Sequence, residues 1–264
     1  MLELYHHGSS VCVCKVRLVL EHKGLEWIGH YVDIHKSEQF DPEYMKLNPK
    51  AVVPTLVHDG KVVCESTVIM EYLNDIHPEQ SLIPEDPYLR TKMRIWTKGV
   101  DENVHPACAV VTFSSVLRYR VMRKSDEELE EFLNAMPEPL KRERKRAAVL
   151  KGYDAPESQE GLLIHRNYLD KMEKTLQEGD WLIGEQYSLA DVAMTPYVNR
   201  LDMIKLYELF MKDRPHVHAW FQRIKSMPNF EPAINKWMPQ DLTDDFSNFG
   251  QQSVSDAKRV LERI

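Results

Sequence analysis

Two short apolar runs, Thr55-Leu-Val-His58 and Lys61-Val-Val-Cys64, flank the dipeptide Asp59-Gly60. Asp-Gly between two such runs is a strong local hairpin signal, because both residues reach the positive φ that a type I′ turn demands. The stretch therefore predicts an antiparallel strand pair that the rest of the N-terminal region must accommodate. Upstream, Leu2, Leu4 and Tyr5 read as a strand and residues 10–23 as a helix. Trp27 to Ile34 reads as a second strand, and Phe40 to Leu47 as a short helix stopped by Asn48-Pro49. A helical crossover makes the first two strands parallel. Ser66 is expected to cap a helix running to about Ile76. Residues 1–77 thus read as βαβαββα, a mixed four-stranded sheet flanked by helices.

Strand signals stop at residues 78–87, a linker-like stretch with Pro78, Pro84 and Pro87. Residues 88–238 read as all-helical. In 88–121, Met93, Trp96, Val100 and Val104 recur at helical intervals, with a kink expected at Pro106. Ser125-Asp-Glu-Glu128 and Ser188-Leu-Ala-Asp191 both carry the capping-box pattern. The first opens a charged insertion at about 122–160. The tail, 239–264, opens polar and irregular and closes with Ala257, Val260, Leu261 and Ile264 at helical spacing. The fold class is α/β plus all-α.

A helix N-terminus carries partial positive charge and unpaired N–H groups, so it favours an anion. Ser10 sits at the N-cap position of the first helix and Cys12 in its first turn. Either can serve an anion, and each has a plain structural role as well, Ser10 as a cap and Cys12 as a small buried hydrophobe. Cys14 lies about 200° round the helix from Cys12 and reads as structural. His6-His7 reads as a solvated loop; no third ligand stands at useful spacing, so no metal is expected. A net charge of −7 argues against a polyanion partner. The basic run Lys141-Arg-Glu-Arg-Lys-Arg146, interrupted by glutamate, reads as a solvated helix face rather than a nucleic-acid site. No apolar run nears the roughly 20 residues that span a bilayer. With no leader pattern after Met1-Leu2-Glu3 and only four cysteines, a cytoplasmic location is expected.

The strand–loop–Ser10–helix opening, Val53-Pro54 before the hairpin and Glu65-Ser66 after it resemble the thioredoxin-like domain of glutathione transferases. Trp181-Leu-Ile-Gly184 followed by Ser188-Leu-Ala-Asp191 resembles that family's helical bundle domain, so the likeness covers roughly residues 2–236. The opening is similar to the serine-type zeta and theta classes. Phe40 to Pro54, with Cys12 two residues after Ser10, resembles the tetrachlorohydroquinone reductive dehalogenases; the charged insertion resembles the glutathione-dependent β-etherases. The resemblance implies glutathione as co-substrate, with its thiolate held by Ser10. It further implies a cis Val53–Pro54 bond that turns the Val53 backbone toward the cysteinyl amide of glutathione. Ser66 and Glu65 would take its γ-glutamyl end, Lys36 would reach its glycyl carboxylate, and Ser9 would line the site. His7, Val110, Phe113 and Tyr119 are candidates for the electrophile pocket, expected between the loop and the helix 88–121. The expected protein is a cytoplasmic homodimer acting on a small-molecule electrophile. Reductive chemistry through Cys12, and a non-catalytic glutathione-fold binding protein, are the alternatives.

Overall fold

The computed structural model describes residues 1–134 and 139–264. Part of the expected insertion at 122–160 falls on 135–138, outside the described residues. The N-terminal elements are β1 (Leu2–His6), α1 (Val11–His22), β2 (Trp27–Tyr31), α2 (Pro42–Leu47), β3 (Thr55–His58), β4 (Lys61–Cys64) and α3 (Ser66–Ile76). The sheet order is β2-β1-β3-β4, with β1 parallel to β2 and the other pairs antiparallel. This is the mixed sheet that the pattern implied, in the thioredoxin-like arrangement that the resemblance implied. The hairpin turns at Asp59 (φ 48°) and Gly60 (φ 77°), both in the left-handed region a type I′ turn needs.

Among the N-terminal elements, α2 starts at Pro42 rather than Phe40, with Asp41 as its cap, and β2 and α3 also differ from the sequence reading. β2 ends at Tyr31 rather than Ile34, because the Asp33 carboxylate accepts from the His35 N–H (3.0 Å) and closes a local turn. Ser66 is the first residue of α3 and not its cap. Glu65 holds the cap position at φ 68°, without a side-chain capping bond.

The chain forms two compact units, each assembled from three segments. The first comprises Met1–Lys98, Thr175–Pro196 and Ala219–Pro239. Its core sets α1 against α3, with Val13, Val16 and Leu20 on one helix and Ile69, Met70 and Leu73 on the other, all fully buried. Leu4 and Leu56, paired across β1 and β3, are equally buried. Each such side chain contributes about 1.5–3 kcal/mol. Within 78–87, Leu82 and Ile83 are buried, and the Leu82 N–H donates to Asn74 Oδ1 (2.8 Å). The helix Leu189–Met203 opens on the second capping box. Buried Asp191 accepts from the N–H groups of Leu182 (2.9 Å) and Ser188 (3.0 Å), the Ser188 hydroxyl (3.1 Å) and Trp220 Nε1 (2.9 Å).

The second unit comprises Gly99–Lys174, Tyr197–His218 and Gln240–Ile264. The helical run beyond residue 99 is not uniform. Wider π turns at Val100–Val104 and Phe113–Leu117 bracket the helix His105–Thr112, whose first turn holds Pro106. Proline offers no N–H to the preceding carbonyls, so the hydrogen-bond ladder slips by one register just before it. The tail is helical from its start: Gln240–Leu261 is one helix, correcting the expected irregular opening. Leu242, Phe246, Phe249, Gly250, Ser253, Ala257 and Val260 form its buried stripe. Gly250 is required there, since a Cβ would stand 2.5 Å from the Ile204 carbonyl oxygen.

Candidate active site

Strand register gathers the singled-out residues at one end of the sheet. Tyr5 pairs with Thr55, Thr55 with Cys64, and His6 with Tyr31. Strands lie about 4.8 Å apart. The segments leaving that row, 32–36 after β2, Ser9-Ser10 after β1, Val53-Pro54 before β3 and Glu65-Ser66 after β4, therefore sit side by side.

Ser10 adopts extended geometry (φ −73°, ψ 118°), and its Oγ accepts from the Val13 N–H (3.3 Å). The residue is half-buried, and among the described residues its hydroxyl donates to no acceptor. A capping serine uses a lone pair and keeps its proton, so this O–H is available to an incoming anion. Cys12 is half-buried on the first turn, between its two readings, while Cys14 is buried, as its position round the helix requires. The expected solvated loop at His6-His7 is also corrected, because both rings are about 1% exposed. His6 is enclosed by Trp27, Tyr31 and Trp237, and burial pushes it down to about 4, so it is neutral. His7 Nδ1 accepts from the Ser9 N–H (3.2 Å) and lies 3.1 Å from the Ser9 hydroxyl. His7 thus shapes the loop from within.

The Val53–Pro54 bond is cis. Tyr44 Oη (2.6 Å) and Asn48 Nδ2 (2.9 Å) both donate to the Val52 carbonyl and pull it inward. A planar peptide that turns its carbonyl one way turns the next N–H the other. Among the described residues, neither main-chain polar group of Val53 has a hydrogen-bond partner. Glu65 stands at φ 68°, a conformation that costs a non-glycine residue about 1–3 kcal/mol and clusters at ligand sites. Its carboxylate pairs with Lys50 (2.7 Å). Ser66 is 8% exposed, and among the described residues its N–H and hydroxyl have no partner. Two sets of polar groups are thus ready for a ligand at neighbouring places on the sheet end.

Lys36 is exposed and bonded to Asp33 (3.1 Å), which holds the ammonium above its ordinary range. Val110, Phe113 and Tyr119 belong to the second unit. Phe113 packs against Val121, Leu133 and Val149, and Tyr119 stacks on Phe249 with ring centroids 5.1 Å apart. Sequence reasoning missed Asn48, Lys50 and Arg17. Asn48 was visible only as a helix stop. The positive charges of Lys50 and Arg17 carried no pattern that could mark them. Among the described residues no three His, Cys, Asp or Glu side chains are grouped to hold a metal ion.

Comparison with known proteins matches residues 9–76 to the glutathione S-transferase N-terminal domain and residues 120–228 to the C-terminal domain. Protein LigF of Sphingobium sp. (strain NBRC 103272 / SYK-6) is 35% identical over 91% of this chain and 96% of its own length. The crystal structure of beta-etherase LigF from Sphingobium sp. strain SYK-6 superposes with a TM-score of 0.77, at 34% identity over 89% of this chain and 99% of that one. The tetrachloro-p-hydroquinone reductive dehalogenase of Sphingobium chlorophenolicum is 29% identical over 88% of this chain and 95% of its own.

Proposed function

The chain belongs to the glutathione S-transferase family, and on that premise we propose that Ser10 holds the glutathione thiol as thiolate for attack on an electrophilic carbon. The substrate is a small aromatic, xenobiotic or lignin-derived molecule, and the outcome β-ether cleavage or conjugation. The observation that carries this reading is the Ser10 hydroxyl, fixed at the N-terminus of α1 and donating to no acceptor among the described residues. A donor aimed at a developing anion needs no reorganisation when charge appears.

The other groups fit glutathione as an extended peptide. The unpaired N–H and C=O of Val53 suit its cysteinyl amide, held by Pro54 in strand-addition fashion. The Ser66 N–H and hydroxyl suit the γ-glutamyl carboxylate, and Glu65 its ammonium. Ser9 lines the thiol end, its N–H held by His7, which also remains a candidate for the electrophile side. Lys36 must leave Asp33 to reach the glycyl carboxylate. Val110, Phe113 and Tyr119 stand for the electrophile side. Residues 1–77 make the glutathione-binding domain of a cytoplasmic homodimer in this reading.

A reductive reading draws on the half-buried Cys12 and the 29% identical dehalogenase. There the Cys12 thiolate attacks the sulfur of a glutathione conjugate, reduced product leaves with a proton, and a second glutathione resolves the mixed disulfide. Mass spectrometry of products from two variants separates the readings. Ser10→Ala should lose about 10²–10³ in rate, and Cys12→Ser should be nearly silent. A Cys12→Ser enzyme that accumulates conjugate while reduced product vanishes would overturn the Ser10 mechanism. Glutathione binding without turnover of any electrophile would leave a binding protein.

A further inference from the structure

Arg17 is fully buried on α1, seven residues after Ser10 and so on the same helix face. Helical side chains lean toward the N-terminus, which brings its guanidinium back beneath the loop that precedes Ser10. Nη1 donates to the His7 carbonyl (3.4 Å), Nη2 to the Gly8 carbonyl (3.1 Å) and Nε to the Ala233 carbonyl (2.6 Å). Nη1 also lies 3.4 Å from His6 Nδ1 and Nη2 3.3 Å from Cys14 Sγ. Among the described residues no carboxylate pairs with it. Trp237 closes the other side, its ring centroid 5.7 Å from the guanidinium carbon. The Trp237 carbonyl lies so close to the loop that a Cβ on Gly8 would stand 1.9 Å from it.

This arrangement bears on the anion site through peptide geometry. A trans peptide sets its N–H opposite its carbonyl. The Gly8 carbonyl is aimed at Arg17, and the His7 carbonyl is shared between Arg17 and the Ser10 N–H (3.4 Å), so the guanidinium fixes the turn that leads into α1. The N–H groups of Gly8 and Ser9 turn the other way, and that of Ser9 is held by His7 Nδ1. A flipped peptide here would bring a carbonyl oxygen toward the place where a thiolate must sit.

We propose that Arg17 is a positioning residue for the Ser10 site, its guanidinium clamping the His7 and Gly8 carbonyls inward against the Ala233–Trp237 segment. The clamp rests on the reading of Ser10 as the thiolate's donor. One forked cation serves three carbonyls at once, which a lysine ammonium, lacking the planar fork, does not reproduce.

The test titrates the thiol of bound glutathione by ultraviolet absorbance, with turnover and melting temperature measured on the same samples. Arg17→Met should raise the thiol's midpoint by about one unit, leaving about tenfold less thiolate below it. Its kcat should fall while KM for glutathione stays within about twofold. Arg17→Lys keeps the cation, so it should melt closer to the parent protein yet show the same upward shift. A folded Arg17→Lys that titrates like the parent overturns the clamp, as does a folded Arg17→Met that does so. If Arg17→Met does not fold, the lysine variant decides alone. Ser10→Ala runs in parallel. A shift in Arg17→Lys with none in Ser10→Ala would fell Ser10 as the donor and keep the clamp on the loop. The reverse pattern would keep Ser10 and fell the clamp.

Discussion

The two capping boxes are written alike in sequence and differ in everything that burial controls. At Ser125-Asp-Glu-Glu128, Glu128 Oε2 accepts from the Ser125 N–H (2.9 Å) and hydroxyl (3.1 Å), and Ser125 Oγ accepts in return from the Glu128 N–H (3.3 Å). That carboxylate faces solvent, and the Ser125 N–H, then its hydroxyl, hold it below the usual carboxylate range. At Ser188-Leu-Ala-Asp191 the carboxylate is fully buried and takes two further donors, the Leu182 N–H and the Trp220 indole. Burial outweighs its four hydrogen bonds and pushes it up to about 6. One pattern thus serves as a surface helix start in one place and as a buried polar hub in the other. A hub is costly to break, because each orphaned buried donor loses its partner with no water to replace it.

Asp191→Ala should show the largest effect. It strands three buried N–H donors, so about 3–5 kcal/mol of stability should go, against about 0.5–2 for an ordinary cap. Chemical unfolding checks this. A loss inside the ordinary range would mean that Asp191 is no more than a cap. Glutathione affinity per folded molecule should be unchanged.

The pH dependence of the same residue comes next. Its folded value, about 6, lies above the unfolded 3.8, so the folded state binds the proton more tightly. The contribution is complete below 3.8 and is lost as pH rises through about 6. Relative to Asp191→Asn, which cannot titrate, the parent protein should therefore gain about 2–3 kcal/mol as pH falls across that window. Parallel unfolding curves for the two proteins at every pH would remove Asp191 as the titrating group.

Glu128→Ala should be the smallest effect, a drop in melting temperature far below that of Asp191→Ala. Its pH sign is opposite. A carboxylate held low in the fold stabilises above its unfolded value of 4.5, and that contribution fades as pH falls. A Glu128→Ala protein as damaged as Asp191→Ala would erase the contrast between the boxes.

Much of the fold was legible because it rests on local chemistry. Asp59-Gly60 announced its turn through residues that tolerate positive φ. Ser10, Ser125 and Ser188 announced helix starts through side chains that accept from backbone N–H groups a few residues ahead. Where polar residues fall between apolar ones, the periodicity is hidden: Leu242, Phe246 and Phe249 keep a helical stripe that Asp244, Asp245 and Asn248 obscure, so the sequence suggests an irregular opening to the tail. Pro106 suggests a kinked helix, but the slip into π turns depends on how the ladder recovers around a missing donor.

Alone, the sequence determined the order βαβαββα, the hairpin and the serine at the first helix's start, because each depends on residues within a few positions of one another. Tertiary structure decided which polar groups are buried and what they meet. Nothing near Arg17 in the chain says that its guanidinium reaches Ala233, 216 residues away. Nothing near Asp191 says that its carboxylate accepts from Trp220. The same holds for Val53 and Ser66, whose unpaired groups become neighbours only when Tyr5, Thr55 and Cys64 line up across three strands. Burial, and with it proton affinity and the worth of a hydrogen bond, belongs to the packed whole, because desolvation depends on every atom that excludes water from a group.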